Sequence, residues 1–253
     1  MNIIEIIKSP YIRFNNEVSG QDLLKAAALF IMVIDHLGVY FYPEYKLFRS
    51  IGRTTLPVWF FFVGYNFKSQ NLYFNQLVFL AITLEIISYL LGEPIFPLSA
   101  LFSMFICRIV LSYYEKVLKS SFLNLFEWFI IAFFCLIGFY LVNFTFEYGT
   151  LGILMSIWGY NARLKDKHLA VQSLSIAFII FYTQISIFRF DLLNSAICIA
   201  LVGLTILLLH NYKHRIFNIN GVSKYIINIS SRYTLYIYFL HLIIFIIIRK
   251  VLL

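Results

Sequence analysis

Runs of apolar residues, each long enough to cross a lipid bilayer, follow one another along most of the 253-residue chain. A membrane-spanning helix needs about 20 predominantly apolar residues in succession. Apolar residues make up 61% of the sequence and charged residues only 13%, which is about half of the charged share of a soluble domain. A soluble fold of this size needs more polar side chains on its surface. The sequence therefore predicts an all-α, multi-pass membrane protein that lies in the lipid bilayer.

The apolar runs predict about nine transmembrane helices in a single domain that covers residues 1–253. The nine are expected near residues 19–42, 47–67, 72–92, 97–114, 122–143, 147–162, 168–188, 191–211 and 232–251. Residues 1–20 hold no apolar run long enough for a signal peptide, and their isoleucine pattern is typical of a short interfacial segment. Residues 214–231 mix isoleucines with polar residues, which indicates an interfacial or a re-entrant segment.

Lys and Arg are distributed unequally between the two sets of loops that these spans define. With a cytoplasmic N-terminus, twelve basic residues lie inside: Lys8, Arg13, Lys68, Lys116, Lys119, Arg163, Lys165, Lys167, Lys213, Arg215, Lys224 and Arg232. Four lie outside: Lys46, Arg189, Arg249 and Lys250. Cytoplasmic loops carry an excess of Lys and Arg, so the nine spans imply a cytoplasmic N-terminus and an external C-terminus.

The net charge of +8 is the ordinary consequence of basic inner loops in a membrane protein, so no nucleic-acid partner is expected.

Cys107, Cys135 and Cys198 each lie inside an apolar run, where a cysteine packs as a small hydrophobic residue rather than in a disulfide. His210 and His214 have i,i+4 spacing, but no carboxylate or cysteine nearby completes a metal site. The sequence predicts no metal cofactor.

Ionisable side chains inside the predicted spans are the candidates for function, because a charge at the centre of a spanning helix costs about 2.5–3.5 kcal/mol. Nine such residues are present: Asp35, His36, Arg49, Arg53, Glu85, Arg108, Glu127, Glu147 and His241. Six of them belong to one level of the bilayer in the predicted topology: Asp35, His36, Arg49, Arg53, Glu85 and Glu147. Scattered structural charges are not expected to gather in this way, so a polar site is predicted there.

The spacing of four of these residues restricts how they can pair. Arg49 and Arg53 are four residues apart and therefore share one face of a helix. Asp35 and His36 are adjacent, about 100° apart around a helix, so each must face a different partner. A short turn joins the first two spans, which predicts an ion pair between Asp35 and Arg53. His36 then stays free and can act as a general base near neutral pH.

Structural explanations remain open for several of these residues. Arg49 can extend its side chain to the outer interface without any further role. Glu85 and Arg108 can form an ion pair that fixes helix packing. His241 can be a hydrogen-bonded core histidine, and Tyr238 can be an interfacial or core aromatic residue.

Three stretches resemble the TraX family, bacterial inner-membrane proteins named for the F-pilin acetylase of conjugative plasmids. The similar residues are Asp35-His36-Leu37-Gly38, then Arg49-Ser50-Ile51-Gly52-Arg53, then Pro57-Val58-Trp59-Phe60 with Gly64; Glu147-Tyr148-Gly149 with Gly152; and Tyr238-Phe239-Leu240-His241-Leu242. The sequence differs from the family pattern at Leu240, where a proline is usual, and at Val63, where a glutamate is usual. A more distant similarity links the chain to type 3 membrane acyltransferases.

The resemblance implies a protein of the bacterial inner membrane that transfers an acetyl group from acetyl-CoA to an acceptor at the periplasmic side. The acceptor class is a pilin N-terminal amine or a surface glycan hydroxyl. A thioester is already activated, so the enzyme has to deprotonate the acceptor and stabilise an oxyanion. His36 is expected to take the proton, and Arg49 and Arg53, beside Asp35, to stabilise negative charge. The predicted acceptor-binding residues are His241, Tyr148, Glu147, Tyr238 and Glu85.

The anionic acyl-CoA is expected to approach the basic inner loops around Lys116, Arg163, Lys165 and Lys213, although no glycine-rich phosphate motif is present. Two other functions remain possible. A proton-coupled transporter also keeps Asp, His and Arg inside its spans, but nine spans do not divide into two halves with paired broken helices. A non-catalytic assembly factor needs no intramembrane charge cluster.

Overall fold

The computed structural model describes residues 17–68, 73–117 and 124–252. These residues form eleven helices: α1 Gly20–Phe41, α2 Lys46–Gly52, α3 Thr55–Tyr65, α4 Tyr73–Leu90, α5 Ala100–Val117, α6 Leu125–Val142, α7 Gly149–Leu164, α8 Leu169–Phe188, α9 Leu192–His210, α10 Val222–Arg232 and α11 Thr234–Leu252. Two short strands, β1 Val18–Ser19 and β2 Ile216–Phe217, pair antiparallel. The prediction of a helical protein is confirmed.

Five of the helices within the described ranges are long and apolar enough to cross a membrane, namely α1, α6, α8, α9 and α11. The chain is therefore a helical membrane protein. Helices also occupy the other predicted spans, but whether those cross the bilayer, and which way the termini face, remain predictions. Residues 1–16 of the interfacial segment predicted for residues 1–20 lie outside the described residues, as does Lys119, and Lys8 and Arg13 are among them.

The prediction of one continuous helix over residues 47–67 is wrong. The helix ends at Gly52, and a new helix begins at Thr55. Pro57 has no backbone N–H, so it cannot continue the ladder by donating to the carbonyl of Arg53. The hydroxyl of Thr54 donates to the Ile51 carbonyl at 2.7 Å, and that of Thr55 to the Gly52 carbonyl at 2.8 Å. The break separates α2, which packs against α1, from α3.

Helices α3 and α7 pack with their backbones in direct contact. A β-carbon at Gly64 would lie 1.7 Å from the Ser156 carbonyl oxygen, and one at Gly159 would lie 2.0 Å from the Phe61 carbonyl oxygen. Small residues permit such close approach between membrane helices. This contact lies toward the C-terminal ends of the two helices, and nearer their starts the Phe60 ring packs against Gly152. The first residues of α3 and the residue before α7 contribute to the candidate site.

The segment predicted as interfacial or re-entrant, residues 214–231, contains β2 and most of α10. Helix α10 buries Asn228 and Ser231 against α1, where the Ser231 hydroxyl donates to Asp22 at 2.8 Å. Its exposed residues include Ile226 and Ile229. A helix that buries polar residues and exposes isoleucines is the reverse of a soluble surface helix. This arrangement suits lipid on the exposed side, and the membrane depth of the segment remains a prediction.

Candidate functional site

One buried carboxylate binds two arginines between α1 and α2. Arg53 donates from Nη2 to Oδ2 of Asp35 at 2.8 Å, and Arg49 donates from Nη1 to the same oxygen at 2.9 Å. Asp35 is 2% exposed and Arg53 is 3% exposed. The predicted pairing of Asp35 with Arg53 is confirmed. Arg49 binds the same carboxylate, which its spacing from Arg53 permitted but did not require. The carboxylate and the two guanidinium groups together carry a net charge of one positive unit.

Two glycines allow α2 to approach α1 closely enough for this ion pair. A β-carbon at Gly52 would lie 2.2 Å from Oδ1 of Asp35, and one at Gly38 would lie 2.5 Å from Cβ of Phe48. Oδ1 of Asp35 has no hydrogen-bond partner among the described residues, because the backbone of Gly52 covers it. The two glycines of the sequence motif are therefore packing positions that bring the charged residues together.

Aromatic rings cover the paired guanidinium groups. The Phe188 ring centre lies 5.1 Å from Cζ of Arg49 and 4.8 Å from Cζ of Arg53, and the Tyr148 ring centre lies 5.6 Å from the latter. Cation–π contacts of this kind are strongest where water is excluded. Tyr148 itself has a left-handed backbone, with φ of 65°, and it precedes Gly149 at the start of α7. One carboxylate and two ring faces therefore hold the two cations.

The two histidines inside the helices form a direct hydrogen bond. Nδ1 of His36 lies 2.6 Å from Nε2 of His241, with ring centres 4.9 Å apart. Nδ1 of His241 lies 2.9 Å from the carbonyl oxygen of Ile237, one turn earlier on α11. The Tyr238 ring packs edge-on against both imidazoles. The expectation that His36 stays free is wrong, because its ring binds that of His241. No sequence signal shows this contact, since 205 residues separate the two histidines.

A small pocket lies beside His36, with about 30 Å³ open to the centre of a water molecule and about 500 Å³ of empty space when the part open to the surroundings is counted. Its polar lining consists of Asp35, His36, Thr55, Trp59, Tyr148, Thr234 and Tyr238. Its apolar lining consists of Met32, Leu56, Phe60, Ala100, Leu101, Met104 and Leu235. A mostly apolar pocket with a few convergent polar groups is the usual form of a small-molecule site. Four predicted site residues thus line one pocket: Asp35, His36, Tyr148 and Tyr238.

The other predicted site residues lie behind that lining. Arg49 and Arg53 contact Asp35, and His241 contacts His36, but none of the three is among the lining residues. Glu85 accepts a hydrogen bond from the backbone of Ser99 at 2.7 Å. In the same way, Glu147 accepts from Ala100 at 3.1 Å, and its own backbone carbonyl accepts from the Ser103 hydroxyl. The two glutamates therefore satisfy the N-terminal amides of α5, whose first turns form one wall of the pocket.

The expected ion pair between Glu85 and Arg108 is wrong. Arg108 instead lies over the Phe67 ring, 5.5 Å from its centre, and reaches the Lys68 carbonyl at 3.4 Å. The two side chains do not meet because Glu85 binds the turn that precedes α5, whereas Arg108 lies in the middle of α5.

Basic residues cluster at the opposite end of α7 from the pocket. Arg163 donates to the Phe67 carbonyl and lies 4.9 Å from the Tyr160 ring centre. Fifteen residues separate Arg163 from Tyr148, which is about 22 Å along a helix. These groups are therefore well apart from His36, and their predicted binding of acyl-CoA phosphates remains a prediction.

The fold and the site define a helical membrane protein with a polar pocket built between its helices. A family model described as TraX protein matches residues 20–249, and the chain belongs to this family. It is also 31% identical over 225 residues to "Uncharacterized protein RP591" of Rickettsia prowazekii (strain Madrid E), an overlap of 85% of this chain and 89% of that protein. No solved structure matches the chain.

Proposed function

We propose that the protein is a membrane-embedded acyltransferase that moves an acetyl group from acetyl-CoA to an amine or hydroxyl acceptor. Membership of the TraX family supports a role related to pilin acetylation. The observation that carries the proposal is an imidazole, His36, at the lining of a pocket and next to a buried arginine pair. A base and a source of positive potential are the two elements that acyl transfer from a thioester needs.

The proposed reaction uses His36 twice. Its imidazole accepts the proton of the acceptor N–H or O–H group while the acceptor atom attacks the thioester carbonyl carbon. The carbon–sulfur bond then breaks, and the proton moves from the imidazolium to the departing thiolate. The products are the acetylated acceptor and free CoA, and no group on the enzyme is consumed.

The arginine pair acts on this reaction through its electric field. Asp35 is one carboxylate in direct contact with two guanidinium groups, those of Arg49 and Arg53, so one positive charge beside the pocket has no carboxylate of its own in that contact. Such a charge stabilises the oxyanion that forms when the carbonyl is attacked, and low dielectric surroundings strengthen the effect. The hydroxyl of Thr55 is already bonded to the Gly52 carbonyl at 2.8 Å. The proposed oxyanion donors are the phenols of Tyr148 and Tyr238 and the indole N–H of Trp59, which also lines the pocket and has no hydrogen-bond partner among the described residues.

The pocket beside His36 is too small for a whole coenzyme, because the space that is open to the centre of a water molecule is only about 30 Å³, room for no more than a few waters. The lining side chains must move apart to admit even the reacting ends of the two substrates. We place the acyl thioester and the acceptor group in the pocket and the nucleotide part of acetyl-CoA outside it. Its phosphates require basic side chains there, and the basic end of α7 is one candidate.

The experiment that tests the proposal measures free thiol released from acetyl-CoA by the purified protein in lipid vesicles. An acceptor peptide with a free N-terminal amine and a hydroxyl-bearing sugar are supplied in separate reactions. We expect His36→Ala to lower the rate by about 10²–10⁴-fold. His168→Ala is the matched control, because His168 lies at the start of α8, away from the pocket. Equal rates for the wild type and His36→Ala would contradict the proposal.

A proton-coupled transporter is the second candidate, and the hydrogen-bonded histidine pair favours it. Chains of His and acidic groups inside membrane helices carry protons in transporters. Vesicles that contain the protein and a pH-sensitive dye distinguish the two functions. A transporter acidifies or alkalises the lumen with its substrate present, whereas an acyltransferase releases thiol without moving protons across the bilayer.

A further inference from the structure

We propose that His241 is a positioning residue that holds the proton of His36 on Nδ1 and so leaves Nε2 of His36 as the basic nitrogen. This inference rests on the proposed function, in which His36 is the general base, and it names the residue that sets the tautomer of that base. Three steps lead to the inference: two hydrogen bonds and the charge of the surroundings.

The first step is the hydrogen bond between His241 and its own helix. Nδ1 of His241 lies 2.9 Å from the carbonyl oxygen of Ile237. A carbonyl oxygen can only accept a hydrogen bond. Nδ1 of His241 must therefore carry a proton, and in a neutral imidazole the other nitrogen, Nε2, is then an acceptor.

The second step is the contact between the two rings. Nε2 of His241 lies 2.6 Å from Nδ1 of His36, and two bare nitrogens do not form a hydrogen bond. Since Nε2 of His241 is the acceptor, Nδ1 of His36 is the donor. A neutral His36 then has its lone pair on Nε2, and this nitrogen has no hydrogen-bond partner among the residues that the structure describes.

The third step is the charge of the surroundings. Both rings are buried, and the neighbouring Asp35 with its two arginines already carries one net positive charge. Making either histidine an imidazolium at rest would add a second positive charge in a region of low dielectric, which is unfavourable. Both rings are therefore neutral before the reaction, as the first two steps require.

His241 performs here the task that the carboxylate performs in a Ser-His-Asp triad, although His241 is a neutral group. In such a triad the third residue fixes the tautomer of the histidine and stabilises the imidazolium. Here the hydrogen bond from His36 to His241 becomes charge-assisted, and so stronger, only after His36 has accepted a proton. The Tyr238 ring lies against both imidazoles and restricts their rotation.

The first test reads the tautomer directly and does not depend on activity. Protein labelled with ¹⁵N in its histidine rings is placed in lipid vesicles, and the nitrogen signals of His36 are identified by their loss in His36→Ala. We expect a protonated Nδ1 and an unprotonated Nε2 on His36. In His241→Phe, which keeps a ring but has no acceptor, the Nε2-protonated form should appear. A proton on Nε2 of His36 in the wild type would overturn the inference, whether or not the protein transfers acetyl groups.

The second test compares three replacements of His241. The amide oxygen of His241→Gln can occupy the place of Nε2 and accept from His36, whereas the shorter His241→Asn and the apolar His241→Phe cannot. We expect kcat to fall by about 10²-fold in the Asn and Phe variants and to recover largely in the Gln variant, with KM for acetyl-CoA unchanged. A Gln variant no more active than Phe, or a fully active Phe variant, would overturn the positioning role. The Asn variant gives the same test if Phe does not fold.

Discussion

Gly52 lies directly against the carboxyl group of Asp35, so closely that a β-carbon at Gly52 would be 2.2 Å from Oδ1. We expect Gly52→Ala to push α2 away from α1 and to separate Asp35 from its arginines. Thiol release should then fall by at least about 10-fold, which corresponds to 1.4 kcal/mol in the transition state. The assay is the one proposed for His36.

Gly203→Ala is the matched control for Gly52→Ala. Gly203 lies inside α9, where a β-carbon would make only an ordinary contact of 3.6 Å with the Phe181 ring. Replacing a helical glycine by alanine should leave activity unchanged and stabilise the helix by up to about 1 kcal/mol. Unchanged activity in Gly52→Ala, or an equal loss in both variants, would contradict the packing role of Gly52.

The two arginines that share Asp35 should differ in their contribution to stability. The Arg53 side chain is 3% exposed and that of Arg49 is 23% exposed. Removing one partner of a buried ion pair costs about 3–5 kcal/mol, whereas exposed pairs contribute about 0–1 kcal/mol. We expect Arg53→Ala to lower the thermal midpoint in detergent clearly more than Arg49→Ala does. Equal shifts of the thermal midpoint in the two variants would contradict the deeper burial of Arg53.

The contact between α3 and α7 predicts an order of sensitivity among glycines. Added β-carbons at Gly64 and Gly159 would lie 1.7 and 2.0 Å from backbone carbonyl oxygens. A backbone carbonyl cannot move independently of its helix. At Gly138 the neighbour is the Thr150 side chain at 3.1 Å, which can adjust. Gly64→Ala and Gly159→Ala should therefore yield little folded protein, and Gly138→Ala nearly normal amounts. Size-exclusion chromatography in detergent checks this order, and a Gly138 variant as damaged as the other two would refute it.

The predicted orientation can be tested with single cysteines at the two ends of α9. Arg189→Cys precedes this helix and Lys213→Cys follows it, and both positions are exposed. The native Cys107, Cys135 and Cys198 are buried and should give little background. In intact cells with a permeable outer membrane, an impermeant maleimide should label the first variant, and the second only after lysis. The opposite pattern would reverse the topology, and labelling of both in intact cells would mean that α9 does not cross the bilayer.

The charged part of the site could be predicted from the sequence because its residues are close along the chain. A short turn joins α1 to α2, so Asp35 had few partners other than the arginines of the next helix. The same reasoning missed the break after Gly52, because the turn depends on hydroxyl groups and on Pro57 rather than on a loss of hydrophobicity.

Contacts between distant helices could not be predicted in this way. Helices such as α6 and α9 are apolar around most of their circumference, so their sequence has no polar side from which to infer the packed face. The pairing of His36 with His241 and the binding of Glu85 and Glu147 to the start of α5 depend on such packing. Glu85 and Arg108 lie on consecutive helices, and their pairing failed because Glu85 binds the start of α5 rather than its middle.

The distance of 205 residues between His36 and His241 has a consequence for biosynthesis. A ribosome completes α1 early and α11 late, so the nascent protein enters the bilayer with His36 long before its partner exists. During that interval the imidazole of His36 has no neighbour to set its proton. On the proposed function, an unfinished chain therefore has a base without its positioning residue, and acyl transfer at the full rate is expected only when α11 has docked against α1.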